Sequence, residues 1–160
     1  MSTLKELQEL AIRAAGDETV GANVLIDTAL QALLDGVESP SLPLLAGLSR
    51  REEAEAQELF RAVSEELGIA PPLPAETPDE RWRLVRWLCE AIANEKAAPD
   101  NAGFLIWSQG WKQLGQPERL RPLIGWLSEW DDPPRGVERH QLSTLIREEA
   151  RRLSEGSWPS

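Results

Sequence analysis

The side chains that do nucleophilic or metal chemistry are scarce in this sequence. The 160 residues contain one cysteine, Cys89, and one histidine, His140. A catalytic thiol needs a base or a positive neighbour to hold it as the thiolate. Cys89 lies between Leu88 and Glu90 in a helical pattern that turns it inward, so it reads as a core thiol. His140, between Arg139 and Gln141 in a first helical turn, reads as solvent-facing. Pairing Cys89 with His140 would need a long-range contact that nothing in the sequence specifies. One Cys and one His also fall short of a disulfide framework or a Cys/His zinc site. Carboxylate metal sites in helical bundles use Glu-x-x-His on facing helices, and that spacing does not occur. Asp131 and Asp132, followed by Pro133 and Pro134, read as a helix-ending turn rather than a cation site. Gly103, Gly110, Gly115 and Gly125 are dispersed, with no phosphate-binding loop and no dinucleotide fingerprint. No catalytic residue, metal ligand or cofactor is therefore assigned. Acid–base catalysis by carboxylates alone leaves no signature at this level.

Binding chemistry is better represented. Seventeen Lys and Arg stand against 27 Asp and Glu, a net charge of −10. That balance argues against nucleic acid as a partner, because neutralising phosphates needs a basic surface. The charge is uneven. Residues 1–80 hold 5 basic and 16 acidic residues, and residues 81–160 hold 12 and 11. One predicted helix carries Glu52, Glu53, Glu55, Glu58, Glu65 and Glu66, most of them away from its apolar stripe. Such a face is either a solvated surface that aids solubility or a steering surface for a basic protein. Asp17, Glu18, Asp27, Asp35 and Glu38 would extend it.

The aromatic content is seven Trp, two Phe and no Tyr. Six of the seven Trp fall between Trp82 and Trp130, and the pairs Trp107/Trp111 and Trp126/Trp130 are spaced four apart, one helix face each. The segment Arg81-Trp82-Arg83-Leu84-Val85-Arg86-Trp87 places guanidinium groups beside indoles, where stacking is expected. Three readings follow: a Trp-heavy core, an exposed aromatic–Arg patch for a protein partner, and an aromatic pocket for a small molecule. Trp87 lies well round the helix from the stripe of Trp82 and is the better candidate for partial exposure.

The elements that must position these groups read as helices almost throughout. Thr3 with Glu6 forms a capping box for a first helix that stops at Gly16. A second helix covers residues 18–35 and stops at Gly36. Ser39 and Pro40 open a short third helix ended by Gly47. Ser49 with Glu52 boxes a fourth over residues 50–67, stopped by Gly68. Residues 69–78 contain four prolines and form a strap. Thr77, Pro78 and Glu80 open a fifth helix that runs to about residue 96. A sixth covers residues 100–115, with Phe104, Ile106, Trp107, Trp111 and Leu114 inward. A seventh runs from Pro117 to near Trp130, with Pro122 expected to kink its first turns. An eighth spans residues 137–154. No segment alternates like a strand. A shift of 39 residues superposes Pro78 on Pro117, Trp87 on Trp126 and Leu88 on Leu127, the pattern of a repeated helical hairpin.

The run Phe104-Leu105-Ile106-Trp107, then Gly110-Trp111, Leu114-Gly115, Pro117-Glu118 and Trp130, resembles uncharacterised small acidic all-helical proteins of actinobacterial type. So does Ser39-Pro40-Ser41-Leu42 leading to Leu45-Ala46-Gly47-Leu48. The resemblance implies a compact helical fold and brings no activity and no functional residues with it.

The expected architecture is all-α: seven or eight helices in one domain, with an acidic half over residues 1–68, the strap, and a Trp-rich half over residues 79–160. An N-terminus with acidic residues throughout is neither a secretory signal nor a transit peptide, and no uncharged run is long enough to cross a bilayer. A cytosolic protein is expected. The leading functional expectation is a non-catalytic module that binds a basic protein, in the manner of an immunity or antitoxin protein. Glu52, Glu55, Glu58, Glu65 and Glu66 would speed encounter, and Trp87 with Arg83 and Arg86 would anchor it. The alternatives are a small-molecule binding or enzyme-accessory protein with a Trp-lined cavity, and a homo-oligomer with a self-complementary Trp patch. No cofactor, nucleic acid or membrane is expected as a partner.

Overall fold

The computed structural model describes residues 3–16, 20–133, 135–136 and 138–156. Asp17 and Glu18, the expected starts of the second helix at residue 18 and the eighth at 137, Pro134 and the tail 157–160 lie outside them. Among the described residues the protein is all-α, with eight α-helices and no strand. The helices are α1 (Thr3–Ala15), α2 (Ala22–Leu34), α3 (Leu42–Ala46), α4 (Glu53–Glu66), α5 (Pro78–Ala93), α6 (Pro99–Leu105), α7 (Arg121–Asp131) and α8 (Arg139–Glu155). A π-helical turn (Ile106–Trp111) continues α6, and a 3-10 turn (Glu118–Leu120) leads into α7. No described helix is long and apolar enough to cross a membrane. The packing divides into two compact units, residues 1–70 and 71–160.

In the first unit α2 packs on α1, α3 and α4, and α4 also meets α1 and α3. The apolar spacing of each helix explains why. Leu25, Ile26 and Ala29 of α2, and Ala56, Phe60 and Val63 of α4, recur at three- and four-residue intervals and are buried together with Leu7, Leu10, Leu42 and Leu45. Gly36 and Gly68 end α2 and α4 at φ of +87° and +69°, a backbone region that costs glycine nothing. Each forms the paired closing bonds of a Schellman turn: Val37 N–H donates to Ala32 O (2.9 Å) and Ile69 N–H to Ser64 O (3.0 Å).

Helix starts differ from the sequence expectation in three places, and at two of them tertiary partners take over the polar groups. Thr3 does not cap α1, because its hydroxyl donates to the carboxylate of Asp35. Helix α2 begins at Ala22 rather than residue 18, where both oxygens of Glu53 accept the Ala22 N–H at 3.1 and 3.0 Å. A carboxylate there also complements the positive end of the helix dipole. Helix α4 begins at Glu53 rather than residue 50. Glu52 accepts from Ser49 N–H at 2.8 Å, but Ser49 Oγ accepts from Arg51 N–H, so only half of the expected box forms. The Thr77–Glu80 box of α5 forms completely, with bonds of 2.9 and 3.2 Å.

In the second unit α5 packs along α8, α6 and its π turn pack on α5, and α7 bridges α6 and α8. Leu84, Leu88, Ile92, Ile106, Leu123 and Ile146 are buried. Helix α5 ends without glycine. Glu95 takes the left-handed position at φ +56°, and Lys96 N–H donates to Ala91 O at 2.8 Å. Arg147 of α8 donates to the Glu95 carboxylate at 2.8 Å and fixes that end.

The expected continuous sixth helix is interrupted, and the spacing of its buried residues explains this. Ile106 and Trp111 are both buried, five residues apart. An α-helix turns about 100° per residue, so that spacing would set them about 140° apart. Bonds from residue i to i+5 fit five residues into roughly one turn and return Trp111 to the buried side. Lys112 N–H accordingly donates to Trp107 O at 3.0 Å. Phe104 in α6 and Trp107 in the turn, both expected inward, are 41% and 42% exposed.

Pro122 kinks nothing. The 3-10 turn ends first, and Pro122 sits in the opening turn of α7, where a missing N–H breaks no helical bond. The two hairpins related by the 39-residue shift differ in form: α8 is an uninterrupted 17 residues, whereas α6 has 7 before the π turn.

Candidate functional site

Two surface regions carry the residue types singled out above, one in each unit. The first is the outer face of α4. Opposite its buried stripe of Ala56, Phe60 and Val63, the residues Glu55, Glu58 and Glu65 are exposed. Arg61 is the single positive residue within the helix. Not all the acids of this segment are available. Glu52 and Glu53 are engaged as capping groups. Glu66 accepts from Ser39 Oγ (2.5 Å), Ser41 N–H (2.9 Å) and Ser41 Oγ (2.6 Å), clasping the end of α4 to the turn before α3. Asp27 of α2 pairs with Arg50 at 2.8 Å. The open acidic surface on α4 is therefore Glu55, Glu58 and Glu65.

The Glu66 clasp has a pH signature. The hydroxyls of Ser39 and Ser41 and the Ser41 amide stabilise the charged carboxylate and hold its pKa below the usual glutamate value. A carboxyl with a lowered folded pKa contributes stability above its unfolded pKa, and that contribution is lost as pH falls through the folded pKa. Glu66→Gln is expected to lower stability at neutral pH and to flatten the acid limb of the stability curve below about pH 4.3. Urea midpoints measured by circular dichroism from neutral to acid pH check this. Parallel curves for the two proteins would refute it.

The second region surrounds the π turn. Phe104 and Trp107 lie 6.3 Å apart between ring centres. The Lys112 ammonium sits 4.8 Å from the centre of the Trp107 ring. On one flank the Arg121 guanidinium lies 5.5 Å from the Trp111 ring. On the other, Arg81 of α5 donates to the main-chain and side-chain oxygens of Gln109 at 3.2 and 3.0 Å. Further along the unit Trp130 donates to Asp100 at 2.6 Å beneath Arg139, whose guanidinium lies 4.3 Å from the ring. Glycine lets the turn approach α5 and lets α6 approach α7. A Cβ on Gly110 would fall 2.5 Å from Val85 Cγ2, and one on Gly103 would fall 2.8 Å from Leu127 Cδ2.

Arg83 and Arg86 are exposed, with Arg86 paired to Glu90 at 3.4 Å, while Trp87 is half-buried. Among the described residues the exposed indole is Trp107. Sequence reasoning missed it because an α-helical wheel places it inward. The signal that would have found it is the five-residue step from Ile106 to Trp111, with Gly110 beside it.

The chemistry-bearing side chains stay apart. His140 is exposed in the first turn of α8, and Cys89 is fully buried on α5. Burial, with the nearby charges of Glu149 and Glu90, pushes the thiol pKa up to about 12. Cys89 is therefore expected to react with a thiol-specific disulfide reagent at pH 8 only as fast as the protein opens. Rapid reaction of the folded protein would contradict its placement. Among the described residues no three of His, Cys, Asp and Glu gather in a way that could hold a metal ion. No protein-family model, curated protein or solved structure matches the chain.

Proposed function

We propose that this chain is a non-catalytic, cytosolic protein-binding module whose α4 outer face receives a basic protein partner. The observation that carries the reading is the exposed row Glu55, Glu58 and Glu65, opposed along the helix only by Arg61. Like charges held on one face are unfavourable unless something positive meets them, and their field raises the rate of encounter with a cation-rich surface. Neutralisation of a basic effector, as by small acidic immunity or antitoxin proteins, is one version of this role. The likeness to small acidic helical proteins of actinobacterial type is compatible with it.

The test is affinity capture from a lysate of the source organism at low and high salt. The wild type is compared with E55K/E58K/E65K, which leaves the capping acids intact. The expected result is a basic protein retained by the wild type at low salt, and lost both at high salt and with the variant. Equal retention by the variant would overturn the reading.

A further inference from the structure

The outer face of α2 differs in composition from that of α4. Opposite its buried side it exposes Val24, Leu30 and Leu34, and Leu34 is 72% exposed. Leu30 and Leu34 lie one turn apart and share a face. The hydroxyl bond from Thr3 to Asp35 sets the first turn of α1 beside the last turn of α2, and Leu4 is exposed there. Leu44, on α3 packed against α2, is 61% exposed. Exposed leucines gathered on neighbouring helices, rather than scattered singly, mark a contact surface.

The charges around this row select its occupant. Residues 20–49 contain Asp27, Asp35 and Glu38 and no Lys, Arg or His. Asp27 is paired with Arg50 at 2.8 Å, whereas Asp35 accepts from the neutral hydroxyl of Thr3, which cancels no charge. Glu38 is exposed in the turn between α2 and α3. Helix α4, with Glu55, Glu58 and Glu65 on its outer face, packs against α2. The occupant must therefore bring apolar side chains for the leucines and positive ones for the acids beside them. A helix with an apolar stripe flanked by Lys and Arg meets both needs on one segment. An acidic helix, an anionic lipid surface or a second copy of this segment would meet like charge.

We infer that the leucine row of α2 is the docking surface for a basic amphipathic helix of the protein partner. The inference rests on the basic partner proposed above and adds the contact that holds it. The α4 carboxylates act over a Debye length and speed encounter, whereas the leucines determine how slowly the complex comes apart.

The probe is a labelled Leu/Lys peptide of roughly 18 residues, five helical turns, with its leucines on one face. Two peptides serve as comparison: the same residues scrambled, and the same pattern with glutamate in place of lysine. Fluorescence anisotropy follows their binding to the full chain. The patterned Leu/Lys peptide is expected to bind the wild type about tenfold or more tightly than either comparison peptide. Leu30→Gln/Leu34→Gln changes exposed side chains and keeps the charge and helix propensity close to the original. It is expected to weaken that binding about tenfold or more, and Leu34→Gln alone to weaken it in the same direction. Trp107→Gln, in the other unit, is expected to leave it unchanged. No binding to the wild type, equal binding of the scrambled peptide, or equal binding by L30Q/L34Q overturns the inference. The variant E55K/E58K/E65K separates the two claims, because it is expected to slow association of the peptide and leave its dissociation unchanged. If L30Q/L34Q binds like the wild type and E55K/E58K/E65K does not, the docking inference falls and the charged-face reading stands. If only L30Q/L34Q is impaired, the leucine row stands and the charged-face reading falls. Self-association in sedimentation velocity that L30Q/L34Q abolishes, without peptide binding, would overturn the choice of occupant in favour of a second copy.

Discussion

Phe60→Ala is expected to destabilise the first unit by about 3–5 kcal/mol, the usual cost of removing a buried aromatic ring from a core. Phe60 is 3% exposed and lies in one apolar cluster with Leu7, Leu25, Val63 and Ile69. It is the largest side chain that α4 contributes to that cluster, and it points opposite to Glu58. The same residue that secures the helix therefore determines where the acidic face stands. Loss of the ring would leave a cavity that small neighbours such as Ala29, Ala32 and Ala56 cannot fill. Circular dichroism in urea is the appropriate readout. All seven tryptophans lie beyond residue 81, so their emission reports the other unit. A change below about 1 kcal/mol would mean that the ring is not packed as described.

Gly110→Ala is expected to destabilise the second unit by about 1–2 kcal/mol, in spite of the gain of up to ~1 kcal/mol that alanine usually brings to a helix. The new Cβ would stand 2.5 Å from Val85 Cγ2. Valine is branched at Cβ and stiff about χ1, so the contact is relieved only by moving α5 or the π turn. Two other glycines provide the contrast. At Gly103 the obstructing atom is the end of Leu127, at 2.8 Å, which can rotate, so Gly103→Ala is expected to be close to neutral. Gly125, inside α7, has nothing within 4 Å, and Gly125→Ala is expected to stabilise by about 0.5–1 kcal/mol. Tryptophan emission in urea ranks all three. An order other than Gly125→Ala, Gly103→Ala, wild-type-like and then Gly110→Ala as least stable would contradict the packing of the π turn.

These two cases show why some features were legible in the sequence and others were not. The existence and type of the helices follow from apolar spacing, and most of their ends follow from local chemistry. Gly36 and Gly68 stop their helices by a left-handed turn that involves only neighbouring backbone. The Thr77–Glu80 box is likewise complete within four residues. Where a capping group comes from far along the chain, the sequence misleads. Asp35 draws away the Thr3 hydroxyl, and Glu53 caps α2 across 31 residues. Glu95 ends α5 in a position that local preference reserves for glycine or asparagine, and it is held there by Arg147 from α8. The candidate surfaces divide along the same line. Glu55, Glu58 and Glu65 could be placed outward from the phase of their own helix. Glu66 could not be distinguished from them, because its three partners lie 25–27 residues upstream. Trp107 was misplaced because the wheel assumes one turn every 3.6 residues, and that assumption fails where Ile106, Gly110 and Trp111 are all buried.

The central claim is that the exposed carboxylates of α4 guide a basic protein to this chain. Its most direct test is the association rate of the captured partner, carrying a fluorescent label, with the wild-type chain as salt is raised, followed by stopped-flow fluorescence anisotropy. The account predicts a rate that falls steeply with salt while dissociation changes little, and a rate for E55K/E58K/E65K that is slow and nearly salt-independent. An association rate that does not respond to salt, or that is the same for the variant, would contradict it.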